Sequence, residues 1–280
     1  MVLLGYRDRN VHELVVHETA LRAGSYARLG VDVQTVAGHE HPEAPLSAGL
    51  GGSLIETLKG HRTWCAGLVH TLHPFFWVWD RGEGAALTDL RSLAGHPDGS
   101  IVSAFTDKLL EDRGLRVEAL DVERFPVGIP GDHERLKALM SGSVDAAVLG
   151  TSFAPTALAR LGLTQLLFFG DAMMFPTAGL GIDAAMIDPD GWEVRAVIDA
   201  QREGLELIKA QATVAVNAVA ALLPEASRED AERLLRDYVA PNYGPTPEDV
   251  ETVGSGSVAW LSDVLAVEPG SVRNFYEKVR

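Results

Sequence analysis

A single cysteine, Cys65, excludes an intramolecular disulfide and any multi-cysteine zinc or iron–sulfur site. Positive charge is also scarce: 24 Lys plus Arg stand against 39 Asp plus Glu in 280 residues, a formal charge of −15. A nucleic-acid backbone or an anionic bilayer is repelled by such a surface unless a local basic patch overrides the field. No such patch is visible, because the densest basic groups (Arg7 with Arg9; Arg228, Arg233 and Arg236) are interleaved with Asp or Glu. No apolar run approaches the roughly 20 residues of a membrane span, so no transmembrane segment is expected. The start, Met1-Val-Leu-Leu-Gly-Tyr6, lacks the basic, apolar and small-residue parts of an export signal. As written, it predicts a cytoplasmic protein; a periplasmic or extracellular one is the expectation if the native amino terminus is missing.

The composition that is present, 46% hydrophobic with 28 Gly and 14 Pro, is that of a globular chain. At about 150 residues per domain, it makes one large or two small domains. Short apolar runs alternate with longer amphipathic ones over the first 180 or so residues, the pattern of β-α-β units on mostly parallel sheets. Strands are expected at Val2 to Leu4, Val31 to Val36, Thr63 to Leu68, Phe75 to Trp79, Ser100 to Ser103, Val117 to Val122, Ala146 to Leu149 and Leu166 to Phe169. Helices are expected at His12 to Arg28, Leu46 to Lys59, Thr106 to Arg113, Asp132 to Met140 and Ser152 to Leu161, several closing at a glycine suited to a C-terminal cap. From about residue 183 the chain reads as nearly continuous helix. One long helix runs from Trp192 to Leu223; a second starts behind Ser227; a third is capped by Thr246, with a local break at Gly254-Ser-Gly-Ser257.

One stretch, Leu136-Lys-Ala-Leu-Met-Ser-Gly-Ser-Val-Asp-Ala-Ala-Val-Leu-Gly-Thr-Ser152, ends a helix at a glycine and opens a buried strand that closes on small polar residues. It resembles a segment of type II periplasmic binding proteins, in the branch of the sulfonate-, nitrate- and taurine-binding proteins and the thiamine pyrimidine-precursor synthases. Gly24-Ser-Tyr-Ala-Arg-Leu-Gly-Val-Asp-Val33, Leu87-Thr-Asp-Leu-Arg-Ser-Leu-Ala-Gly95 and Leu109-Leu-Glu-Asp-Arg-Gly-Leu115 resemble further segments of that family, in the same order. The resemblance implies an α/β, two-lobed fold with a helical C-terminal part and a ligand cleft between the lobes. Lobe one would be residues 1–78 and 175–280, lobe two residues 79–174, with crossings near Phe75 to Trp79 and Met174 to Gly181.

Open α/β sheets bind ligands beyond the carboxyl ends of their strands, which directs attention to the loops there. Tyr6 and Arg9 follow the first expected strand, His39 and His41 the second, and His70 and His73 the third. Imidazoles at such a rim can hold a carboxylate, ligate a metal or act as a general base, and each is equally a solvated loop residue. Gly51, Gly52 and Ser53 open a helix whose backbone N–H groups make an anion seat, or simply a tightly packed start. Ser103, Phe105 and Thr106, and then Thr151 and Ser152, sit where loops of the second lobe would close on a ligand, N-capping being the alternative. The aromatic run Phe75, Phe76, Trp77 and Trp79 offers rings to the core and to the ligand side.

Two functions follow. The first is a solute-binding protein that holds a small organic anion, aromatic or heterocyclic in one version, and delivers it to an ABC-type permease. The second is a cytoplasmic lyase or decarboxylase of the same fold acting on a small aromatic or heterocyclic acid, with His70 as base and Arg9 as carboxylate anchor. Neither calls for a cofactor or a metal. The cysteine-rich motif of the thiamine-precursor synthases is absent, and Ala66 stands where they have a lysine four residues before His70. Arg7, Asp8 and Arg9 occupy the loop where the related aromatic sulfinate desulfinase carries its cysteine.

Overall fold

The computed structural model describes every residue except 39, 40, 83–85, 269–271, 273, 278 and 280. Its contacts divide the chain into two compact units: residues 1–74, 174–224 and 231–280 in the first, and 75–173 with 225–230 in the second.

The first unit begins with β1 (Val2–Tyr6), α1 (Val11–Arg22), α2 (Ser25–Arg28), β2 (Val33–Ala37), β3 (Leu46–Ser47), α3 (Leu50–Leu58) and β4 (Trp64–Thr71). The chain then builds the second unit from β5 (Trp77–Asp80), β6 (Ser92–Gly95), α4 (Ile101–Glu111), β7 (Asp121–Arg124), α5 (Ile129–Ser141), β8 (Ala146–Leu149), α6 (Pro155–Arg160) and β9 (Thr164–Phe168). It continues with β10 (Ala178–Asp183), α7 (Trp192–Lys209), α8 (Thr213–Leu222), α9 (Arg228–Leu234), a π-helical turn over Leu235–Val239, α10 (Ala240–Asn242) and α11 (Pro247–Leu265).

Each unit carries one five-stranded sheet, ordered β2-β1-β3-β10-β4 in the first and β7-β6-β8-β5-β9 in the second. In the first sheet β1 runs parallel to β2 and β3, whereas β10 is antiparallel to both of its neighbours. In the second, β6 is parallel to β7 and β8, while β5 is antiparallel to β8 and β9. The inner parallel strands β1 and β8 are short and apolar because helices cover their faces, whereas the edge strands β2 and β7 carry polar residues. Val15, Val16 and Ala20 of α1 and Val197 and Ile198 of α7 are buried in the first unit; Leu93, Phe105, Leu139 and Val148 form the core of the second.

The α/β class, the two sheets and the helical C-terminal part agree with the sequence. Several element boundaries do not. Ser100 to Ser103 is no strand: Ser100 caps α4, its hydroxyl accepting the Ser103 N–H at 3.1 Å, and the strand is the preceding Ser92–Gly95. The expected helix from Trp192 to Leu223 divides into α7 and α8, which meet at 101° across a turn where Gln211 takes a φ of 51°. The expected break at Gly254-Ser-Gly-Ser257 lies inside the uninterrupted α11. There a Cβ on Gly254 would stand 2.7 Å from the Tyr276 ring, so glycine serves close packing and not a chain reversal. Among the described residues no single helix is long and apolar enough to cross a membrane; α7 and α8 meet that composition only as a bent pair.

Candidate functional site

In the first unit, β1 and β3 end on the same side of the sheet, and β4, antiparallel to β10 as β3 is, ends there too. Beyond β1 the Asn10 side chain caps α1 by accepting the Glu13 N–H at 2.9 Å. The Glu13 carboxylate in turn accepts the N–H groups of Arg7 at 2.9 Å and Asp8 at 3.4 Å, which closes the loop between Tyr6 and the helix. Burial, and then the Asp8 carboxylate, push the Glu13 carboxyl up to about 7. Arg9 reaches out of this loop with its guanidinium 3.4 Å from Glu18, half exposed.

Gly51, Gly52 and Ser53 form the first turn of α3, whose cap, Gly49, offers no side-chain acceptor. The Gly51 N–H points to the Thr177 carbonyl at 3.3 Å, and the Ser53 hydroxyl donates back to the Gly49 carbonyl at 3.0 Å. Ser53 is buried against β10, where a Cβ on Gly181 would come within 2.8 Å of its oxygen. The half-buried His41 accepts the Glu43 N–H on Nδ1 at 3.3 Å. His39 lies outside the described residues.

His70 differs most from its expected setting. It belongs to β4 and not to the following loop, and it is only 1% exposed. Its Nε2 is 2.9 Å from the Gln201 side-chain oxygen; the Gln201 amide donates to the Tyr26 hydroxyl at 3.3 Å, and that hydroxyl lies 3.0 Å from His17 Nδ1. Nearby, His12 Nε2 shares a hydrogen bond with Thr177 Oγ1 at 2.8 Å, and the Tyr243 hydroxyl donates to the His12 carbonyl at 2.9 Å. Burial lowers all three imidazoles, His12 to about 3 and His17 and His70 to about 4, with His70 adding to the effect on the other two. They are neutral at physiological pH and tie α1, β4 and α7 together. A general base must reach the proton it abstracts, and His70 is enclosed by its own core. His73, by contrast, does lie beyond β4, half buried, on the wall of a groove of about 490 Å³ with Leu72, Met174 and Tyr243.

In the second unit the carboxyl ends of β6, β7 and β8 are followed by His96, by Phe125 and by the Gly150-Thr151-Ser152 loop. Ser103 sits in the first turn of α4 and accepts Arg124 Nη1 at 3.4 Å. Phe105 and Thr106 are turned inward, the phenyl ring into the core and the hydroxyl onto the Val102 carbonyl at 2.7 Å, so neither stands in a loop as the sequence suggested. Thr151 is buried, and the Ser152 hydroxyl donates to the Asp132 carboxylate.

Three residues that the sequence reading did not single out, His96, Asp132 and Arg135, complete this edge beside Phe76 of the aromatic run. Phe76 is half exposed while Phe75, Trp77 and Trp79 are buried. The buried His96 stands edge-to-face with Phe76 at 5.5 Å between ring centroids. Its imidazole is held well below the ordinary histidine range by burial, then by Arg135 and Arg124. Asp132 and Arg135 form a buried ion pair at 2.6 Å. Their only sequence signal was opposite charge three residues apart within Asp132-His-Glu-Arg135, which reads as a solvated helix face. His96 was hidden because β6, the strand it follows, was itself missed.

No family model matches the chain, and no curated protein matches it. Solved structures do resemble it. The periplasmic aliphatic sulphonate binding protein SsuA from Escherichia coli aligns with a TM-score of 0.74 and 14% identity, over 98% of this chain and 96% of that one. The alkanesulfonate-binding protein SsuA from Xanthomonas axonopodis pv. citri, bound to MOPS, gives 0.72 and 14% over 95% and 94%. The desulfurization enzyme DSZB gives 0.72 and 13% over 99% and 96%. The chain therefore has the type II periplasmic-binding-protein-like fold.

Proposed function

We propose that this protein is the solute-binding component of an ABC-type importer, working outside the cytoplasm with a membrane permease as its partner and taking a small organic anion at the loops beyond its strands. The observation that carries the reading is the end-to-end match to two sulfonate-binding proteins, each aligned over nearly the whole of both chains. The edges described above support it. Tyr6, Arg9, His41 and His73 frame the edge of the first unit, next to an α3 amino terminus without a side-chain cap. Phe76, Thr151 and Ser152 frame that of the second, where the half-exposed phenyl ring suits a flat ligand body. MOPS, the molecule bound to one of the similar proteins, is itself a sulfonate.

The lyase reading shares the fold with DSZB but loses its base: His70 is buried, neutral and engaged by Gln201. Incubation with a small-metabolite extract, followed by mass spectrometry of retained and consumed compounds, tests both. Retention of an unchanged organic anion, confirmed by calorimetric titration, supports the binding protein. Depletion of a compound with a matching product refutes it in favour of the enzyme, and retention of only neutral or cationic compounds refutes the choice of ligand.

A further inference from the structure

The Asp132 carboxylate, on a residue only 5% exposed, gathers three donors from two segments: Arg135 Nη2 at 2.6 Å, the Gly150 N–H at 3.3 Å and the Ser152 hydroxyl. Arg135, with no exposure at all, donates from Nη1 to the Pro126 carbonyl at 2.9 Å. One ion pair at the start of α5 thus grips the loop after β8 and the loop after β7, the strands on either side of β6. The packing leaves no slack. A Cβ on Gly131 would lie 1.8 Å from the Pro126 carbonyl oxygen, and one on Gly150 would meet both the Asp132 carboxylate and the Phe76 ring at 3.3 Å.

Burying two charges costs several kcal/mol of desolvation, so such a pair is a poor device for stability alone; well-packed apolar side chains hold a helix to a sheet as well or better. What apolar packing cannot supply is a directional hold on a backbone N–H and a hydroxyl in a loop. A site that binds without paying to order its loops needs such a supporting shell. We infer that Asp132 and Arg135 are positioning residues, which hold the Gly150–Ser152 loop in its ligand-ready form. This rests on the solute-binding reading above. It also gives Ser152 a definite polarity: with its proton given to Asp132, its oxygen offers a lone pair to a ligand's N–H or O–H.

The test uses the full chain, with amide hydrogen exchange of Gly150–Ser152 in the ligand-free protein and calorimetric titration of MOPS, methanesulfonate and benzoate. Asp132→Asn weakens the hub at its centre, and Ser152→Ala, a milder change, keeps the test decisive if the first variant fails to fold. The expected result for either is exchange at these amides faster by about tenfold, with about tenfold weaker binding of the tightest probe, the worth of one hydrogen bond to a charged group. Ser152→Thr, which restores the hydroxyl, is expected to return both to near wild type. A direct ligand contact alone would leave exchange in the free protein unchanged, and that result overturns the positioning role. So does a set of folded variants that stay within twofold of wild type in both readouts. A wild type that binds none of the probes overturns the ligand part together with the reading it rests on, whereas a wild type that binds alongside variants that bind equally overturns this inference only.

Discussion

Acidification is expected to weaken this fold steeply between pH 7 and pH 5, and the cause is the histidine network of the first unit. His12 is held at about 3 and His17 and His70 at about 4 by burial, against 6.5 in an unfolded chain. A histidine whose folded value is depressed is neutral in the native state while the unfolded chain takes up a proton. Stability therefore falls as pH drops below 6.5 and goes on falling until the folded value is reached. From pH 7 to pH 5 each of the three costs about 2 kcal/mol by this linkage. Glu13 opposes them: its carboxyl, pushed up to about 7, gains a proton in the native state first and returns about 2 kcal/mol over the same interval. The net expected loss is about 3 to 4 kcal/mol, a large part of the ordinary stability of a domain; His96, also depressed, adds to it. Denaturant unfolding followed by circular dichroism at the two pH values measures the change, and histidine ring-proton NMR assigns it. A stability flat from pH 7 to pH 5, or titration of His12, His17 or His70 near 6.5, would refute the neutral, enclosed network.

Three further perturbations test other parts of the structure. Arg62 bonds Asp183 at 2.7 Å, donates to the carbonyls of His41 and Ala44, each at 3.2 Å, and lies over the Trp64 ring at 4.6 Å. Its replacement by alanine leaves Asp183 buried without its cation and should cost about 3 to 5 kcal/mol in a denaturant titration. Gly131→Ala is expected to lower the melting temperature sharply, because its Cβ would collide with the Pro126 carbonyl, whereas Gly256→Ala, in open space on α11, should raise stability by about 0.5 to 1 kcal/mol. Asp230 is fully buried and bonded by Arg160, Thr156 and Ser227, first among them the Arg160 guanidinium, which holds its carboxyl well below the usual range. That contribution is present above the unfolded value near 4 and is lost as pH falls toward the folded one, so Asp230→Asn should flatten the acid limb of the stability curve below pH 4.

What could be read in advance depended on whether a residue's role was set locally. The strand Ala146–Leu149 was legible because a continuous apolar run follows a helix-ending glycine, and Thr246 was legible as a cap because its oxygen needs only the Asp249 N–H three residues on. The bend between α7 and α8 was not, since Lys209-Ala-Gln-Ala212 contains no glycine or proline; both helices pack against α1, and Gln211 takes the left-handed conformation that this packing requires. At the candidate site, Thr151 and Ser152 could be named from a strand ending in small polar residues. The carboxylate that binds Ser152 lies twenty residues earlier, inside a charged run that looks solvated.

The sequence by itself determined the α/β alternation, the helical C-terminal part and the positions of most loops, because hydrophobic period, caps and turn residues act over a few neighbours. Only the tertiary structure decided which polar groups leave water. Burial is a property of what packs on a residue from elsewhere in the chain: His70 looked like a reactive rim residue until Gln201, 131 positions away, closed over it. Asp132 and Arg135 looked like solvated charges until the loops after β7 and β8 folded around them.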